Sequence, residues 1–303
     1  MELASRFEGC LIGLAVGDAI GTTVEFSDRG SFPPLTDMIG GGPFNLAAGQ
    51  WTDDTSMALC LATSLLECRG SGPHDQMTRY VRWLRAGYLS STGDFVDVGT
   101  TVARAIAAFE KTGEPFSGPT HPKTAGNGSI MRLAPVPMYY YPDRQAVWHY
   151  SGESSRTTHG AAECIDACRL LGDILYRALL GESKQDILFG NPFQTVNSPR
   201  IQEIANGAYS SKPESEVRGT GYVVQSLEAA LWCFLHEESF DSTVLRAANL
   251  GDDADTTAAI AGQVAGAFYG LDCIRQQWRD QLAFHDEISR LANRLRVETA
   301  ASS

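Results

Sequence analysis

No apolar run in this chain lasts the roughly 18 to 20 residues needed to cross a bilayer. The most apolar stretch, Met1 to Gly21, is interrupted by Glu2, Arg6, Glu8 and Asp18, and no basic segment precedes it, so it reads as neither anchor nor signal peptide. Positive charge is also scarce. With 24 basic residues against 36 acidic ones the net charge is -12, which argues against binding to nucleic-acid backbone or to an anionic membrane. The seven cysteines include no C-x-x-C, and their odd number speaks against a disulfide framework. Cys164 and Cys168 stand one helical turn apart without a second ligand pair and read as small core residues. A soluble, cytoplasmic protein is the expectation.

Period-two strand patterns are missing as well. Apolar and small residues instead recur at three- and four-residue steps in Phe7 to Ile20, Ser56 to Leu66, Met77 to Tyr88, Thr100 to Phe109 and Ala161 to Leu180. The same spacing continues in Tyr222 to Leu235, Thr243 to Asn249, Thr256 to Tyr269 and His285 to Leu295. The pattern predicts an all-α fold, with one domain over residues 1–296 and a frayed tail over 297–303. Gly13, Gly17, Gly262 and Gly266 lie inside predicted helices, where glycine costs about 1 kcal/mol against alanine. Their use there predicts helices whose backbones approach closely. Irregular segments are expected at Ser27 to Gln50, Thr112 to Gly128 and Phe189 to Ser198. The first contains Gly30, Gly40, Gly41 and Gly42 and would let Glu25 move.

Two acidic clusters about 200 residues apart, Trp51-Thr52-Asp53-Asp54-Thr55 and Gly251-Asp252-Asp253-Ala254-Asp255-Thr256-Thr257, each run into a helix-forming stretch. Either cluster alone could be a helix cap. A helix dipole offers at most about 1 kcal/mol per charge, too little to gather so many carboxylates, whereas a bound cation would do so. Oxygen donors without histidine or cysteine point to Mg²⁺ or Mn²⁺. If the clusters share metal, the two ends of the chain must pack together.

The ordered set Gly17-Asp18-Ala19-Ile20-Gly21, Val24-Glu25-Phe26, Thr52-Asp53-Asp54-Thr55, Asp97-Val98-Gly99, Gly126-Asn127-Gly128-Ser129 with Met131-Arg132, Thr158-His159 and the second acidic cluster resembles the ADP-ribosylglycohydrolase family. Thr23-Val24-Glu25-Phe26, Val96-Asp97-Val98-Gly99 and Ala254-Asp255-Thr256-Thr257 are similar to its bacterial branch, the dinitrogenase reductase-activating glycohydrolases. The resemblance implies a compact all-α fold, two Mg²⁺ or Mn²⁺ ions in a cleft, and hydrolysis of the bond joining ADP-ribose to a protein side chain. Its metal ligands map onto Thr52, Asp53, Asp54, Asp253, Asp255 and Thr256. Glu25 matches an acidic residue beside the metals, and Asp97 a carboxylate tied to arginine-linked substrates. Two positions depart: the family usually has Gly at Asp252, and the bacterial branch often has Asn at Thr100.

Two cations about 4 Å apart can acidify a water and hold a substrate oxygen, with carboxylates stabilising an oxocarbenium-like transition state. On this reading Asp97, Glu25 and Asp54 are the catalytic candidates. Gly126, Asn127, Gly128 and Ser129 form a turn able to bring backbone N–H groups to a pyrophosphate, though an ordinary turn has the same composition. His159 alone would read as structural; the family match makes it a diphosphate contact. Gly99 and Thr100 are candidates for substrate contact, yet Asp97 and Gly99 equally suit a cap and turn before a helix. Tyr222 fits either the core or a contact to adenosine or ribose. The expected partner is an ADP-ribosylated protein, most readily modified at arginine, with ADP-ribose as product. Serine-, nucleic-acid- or small-molecule-linked ADP-ribose, and a non-catalytic ADP-ribose-binding protein, are the alternatives.

Overall fold

In the computed structural model, which describes residues 1–301 and the side chains of 1–298, helix is the only regular element. Its α-helices are α1 (Leu3–Gly21), α2 (Asp53–Cys68), α3 (Pro73–Ala86), α4 (Thr100–Thr112), α5 (Pro135–Tyr140), α6 (Arg144–Arg156), α7 (Ala162–Leu180), α8 (Lys184–Phe189), α9 (Pro199–Ala205), α10 (Val223–His236), α11 (Phe240–Ala248), α12 (Ala254–Tyr269), α13 (Gln276–Gln281) and α14 (His285–Ala301). Among the described residues there is no strand, only the isolated bridges Gly41 to Leu46 and Gly126 to Tyr222. Helix α14 continues past residue 296 to Ala301, so the segment expected to fray from 297 is helical as far as it is described.

The centre of the fold is an antiparallel pair, α1 and α12, whose backbones touch. A Cβ on Gly13 would lie 2.4 Å from the Gly262 carbonyl oxygen, and one on Gly17 would lie 2.1 Å from that of Ala258. Gly9 against Gly266 and Gly21 against Ala254 extend the contact at four-residue steps, one per turn. The glycines therefore repay their poor helix propensity through contact that no larger residue permits. By length and composition the segment Leu3–Val24 is apolar enough to cross a bilayer, but 89% of its apolar 18-residue window is buried inside the globule. The apolar surface that a membrane would cover is covered here by α12 and its neighbours.

This antiparallel pairing sets the end of α1 beside the start of α12. Helix α2 also starts there, because the fully buried Asp18 of α1 accepts hydrogen bonds from the N–H groups of Thr52 and Thr55, both at 3.0 Å. A smaller apolar cluster, with Met57, Trp83, Val102, Ile106 and Met131, holds α3 and α4 against α2. The cleft opens between this satellite and the main core.

Candidate active site and metal centre

The two acidic clusters meet at this junction. Thr52 is the N-cap residue of α2, and Asp53 and Asp54 are its first two residues; Asp253 is the N-cap of α12, with Asp255 in its first turn. Neither Thr52 nor Asp253 makes a side-chain capping bond, so simple capping does not explain the clusters. Their side chains turn toward one another instead. Thr52 Oγ1 lies 3.3 Å from Asp255 Oδ2 and 3.4 Å from Asp54 Oδ2, and Thr256 Oγ1 lies 3.5 Å from Asp54 Oδ2.

Two groups of carboxylates converge within 4.8 Å: Asp18, Asp54 and Asp255, and Glu25, Asp253 and Asp255. Asp255 belongs to both. None of these carboxylates, nor Asp53, takes part in a Lys or Arg ion pair among the described residues. Only Asp252 is paired, with Arg218 at 3.0 Å. Burial first, and then repulsion from neighbouring carboxylates, holds Asp53, Asp54 and Asp255 well above the usual carboxylate range. Burial likewise pushes Glu25 up to about 9, with Asp97, Asp53 and Asp253 adding to the rise and a hydrogen bond to Asp255 opposing it. Asp54 Oδ1 and Glu25 Oε2 are buried acceptors without a partner. Stranded acceptors in an oxygen-only set fit hard divalent cations, which would supply the missing positive charge. Asp18 differs, because Thr52 and Thr55 use both of its oxygens through their N–H and hydroxyl groups. It is a positioning residue that the sequence reading did not place at the site; its signal was a lone carboxylate inside an apolar helix.

The cavity beside the clusters has a volume of about 240 Å³ and is lined by Glu25, Asp53, Asp97, Gly99, Thr100, Gly126, Asn127, Gly128, His159, Asp253, Asp255 and Thr256. Thr52 and Asp54 are fully buried behind it. Asp54, expected as both ligand and catalytic group, lines no described cavity, and its carboxylate converges with those of Asp18 and Asp255. Asp97 sits at φ +54° and is not a cap, because Gly99 is the N-cap of α4. A Cβ on Gly99 would meet nothing within 4 Å, so packing does not require glycine there.

Glu25 is tied to the second cluster through its neighbours. The N–H of Phe26 donates to the Asp252 carbonyl at 2.8 Å, and the N–H of Asp252 donates to Ser27 at 2.9 Å. Phe26 (φ +61°) and Asp252 (φ +57°) are both left-handed. That conformation explains why glycine suits position 252, and aspartate is among the residues that tolerate it. Movement of Glu25 therefore has to carry or break this link.

On the opposite wall, Asn127 donates to Asp253 Oδ2 at 2.9 Å and holds that carboxylate in place. Gly126 and Gly128 are small because His159 lies beneath them: a Cβ on Gly128 would be 2.8 Å from the ring. Ser129 points away from the cavity, into the interior, where it accepts from Ser155 Oγ at 3.0 Å; the turn presents its glycines and not this hydroxyl. His159 lies in the connection between α6 and α7, just before the long helix that the spacing predicts over Ala161 to Leu180. Tyr222 lines a neighbouring cavity of about 620 Å³ that shares Thr101, Gly126 and Gly221 with the first. Its hydroxyl donates to Glu163 at 2.8 Å and accepts from Arg200 at 3.0 Å.

The ADP-ribosylglycohydrolase family model matches residues 1–303. The chain is 43% identical over 297 residues to an ADP-ribosylarginine hydrolase Tri1 of Pseudomonas putida, covering 97% of this chain and 78% of the relative. It is 30% identical over 288 residues to the ADP-ribosyl-[dinitrogen reductase] glycohydrolase of Rhodospirillum rubrum, covering 91% and 90%. A solved structure described as an ADP-ribosylglycohydrolase-related protein complex superimposes with a TM-score of 0.88 at 40% identity, covering 98% of this chain and 99% of that one.

Proposed function

The chain belongs to the ADP-ribosylglycohydrolase family, and from that premise we propose that its cleft removes ADP-ribose from arginine side chains of modified proteins, by metal-dependent hydrolysis of the N-glycosidic bond. The observation that carries this reading is the meeting of the two acidic clusters, Thr52 against Asp255, beside a cavity that Asp97 and Asp255 line.

Thr52, Asp53, Asp54, Asp253, Asp255 and Thr256 would hold the metal. The two carboxylate groups that share Asp255 support a pair of ions, and the oxygen-only donors favour Mg²⁺ or Mn²⁺. When bound, such ions acidify water and hold substrate oxygens. Glu25 lines the cavity and its Oε2 has no partner, which supports it as the group that accepts the proton of the water attacking the anomeric carbon. The bond from that carbon to the guanidine nitrogen breaks, the nitrogen takes up a proton, and ADP-ribose and arginine leave. Asp97 pairs with the departing guanidinium. Asn127 keeps Asp253 oriented.

The partner is a modified protein. The net charge of -12 opposes a nucleic-acid or membrane partner. All seven cysteines are free, which supports a reducing compartment, and the cytoplasm is our assignment. Matched arginine-, serine- and nucleic-acid-linked ADP-ribose substrates test the acceptor. Arginine-linked substrate is expected to turn over fastest. Faster release from serine would overturn the assignment and move attention to Glu25 and Thr100.

A further inference from the structure

Arg132 is fully buried, and among the described residues it forms no ion pair. Its guanidinium donates to the Gly128 carbonyl, to the Ser154 carbonyl at 3.3 Å and to Thr158 Oγ1 at 2.8 Å, and lies over the Tyr80 ring. Thr158 Oγ1 is in turn 2.9 Å from His159 Nδ1. A guanidinium can only donate, so Thr158 receives from Arg132 and has one hydroxyl hydrogen left to give. The remaining neighbour is His159 Nδ1. We propose that Arg132 and Thr158 are positioning residues that fix His159 as the tautomer protonated at Nε2, the donor that the diphosphate contact implied by the family resemblance requires at Gly126 and Gly128.

Three observations agree. The ring is neutral, since burial and the Arg132 charge lower His159 to about 3. His159 lines the 240 Å³ cavity, and a Cβ on either glycine would fall 3.3 or 3.2 Å from Nε2, so that edge of the ring faces the turn. The N–H groups of Gly128 and Ser129 have no acceptor among the described hydrogen bonds. Donors with no partner, backed by a buried cation with no counter-charge, suit an anion. The phosphate part of the inference rests on the function proposed above; the tautomer part does not.

Histidine-selective ¹⁵N spectra test the relay, with the His159 signals assigned by their loss in H159Q. The wild type is expected to show a protonated Nε2 and a bare Nδ1 from pH 6 to 8. T158V should lose that preference and bind ADP-ribose about tenfold more weakly by calorimetry, the size of one lost hydrogen bond. T158S should restore both, and T158A serves in place of valine if that variant does not fold. A wild-type ring protonated at Nδ1, or a T158V protein with tautomer and affinity unchanged, would overturn the proposal. An Nε2–H ring in a protein that does not bind ADP-ribose would overturn the phosphate assignment and leave the relay standing.

Discussion

The wall of the cleft built from the starts of α2 and α12 carries acceptors, whereas the wall built from the 126–128 turn and the α6–α7 connection carries donors. In the first, burial and mutual repulsion raise Glu25, Asp53, Asp54 and Asp255, and Asp54 Oδ1 and Glu25 Oε2 have no partner. In the second, Arg132 is satisfied mainly by carbonyl and hydroxyl oxygens, and His159 is neutral. The acceptor wall leaves buried oxygens without a partner, while the donor wall is held by hydrogen bonds within the fold. The proposed substrate, which combines sugar hydroxyls with a diphosphate, would satisfy both.

The largest effect should come from breaking the acceptor wall. Asp54→Ala and Asp255→Ala are expected to lose bound metal and activity together, with rates falling on the order of 10³-fold, the worth of several kcal/mol of charge stabilisation. Metal analysis beside the rate assay checks this. Lost activity at full metal occupancy would restore a direct catalytic role for Asp54.

Asp97 separates acceptor recognition from metal binding. Asp97→Asn should keep its fold and metal yet hydrolyse ADP-ribosyl-arginine roughly 10²-fold more slowly, the scale of a lost acid–base group. Equal metal affinity with an unchanged rate would remove Asp97 from the mechanism.

The acceptor wall also depends on where α1 holds α12. Gly262→Ala places a Cβ 2.1 Å from the Gly13 carbonyl oxygen, and neither backbone can yield alone. Despite the helix propensity gained, a net loss of about 1–3 kcal/mol is expected in denaturant unfolding. A more stable variant would show the helix contact to be looser than described.

Acidity gives the smallest and most graded test. Because Glu25 is raised to about 9 and Asp53, Asp54 and Asp255 well above their usual range, the metal-free folded protein keeps protons that the unfolded chain releases near pH 4. Stability from these groups is complete below about pH 4 and is lost as pH rises toward 9. The melting temperature in chelator should therefore fall from pH 5 to 9, and saturating Mn²⁺ should flatten the slope. A chelated protein that grows more stable over that range would contradict the account.

Much of this was legible in the sequence because it is local. Periodicity marks α1, α2, α4, α7, α10 and α12, and the acidic clusters coincide with helix starts. Helix α6, Arg144–Arg156, escaped because few of its residues are apolar, and the six-residue α5 because two of its residues are proline. The site residues that eluded the sequence depend on distant neighbours. Asp18 gains its role from Thr52, 34 positions away, and the Ser129 hydroxyl turns into the interior because Ser155, 26 positions away, meets it there. Asp252 is informative in another way: only its backbone conformation explains what that position requires.

The most direct test of the central claim is reconstitution. Metal-free protein is titrated with Mn²⁺ while release of ADP-ribose from ADP-ribosyl-arginine is followed. The account predicts negligible release in chelator, rising to a plateau near two equivalents of metal per chain. Release at full rate in chelator, or no recovery at any Mn²⁺ concentration, would contradict it.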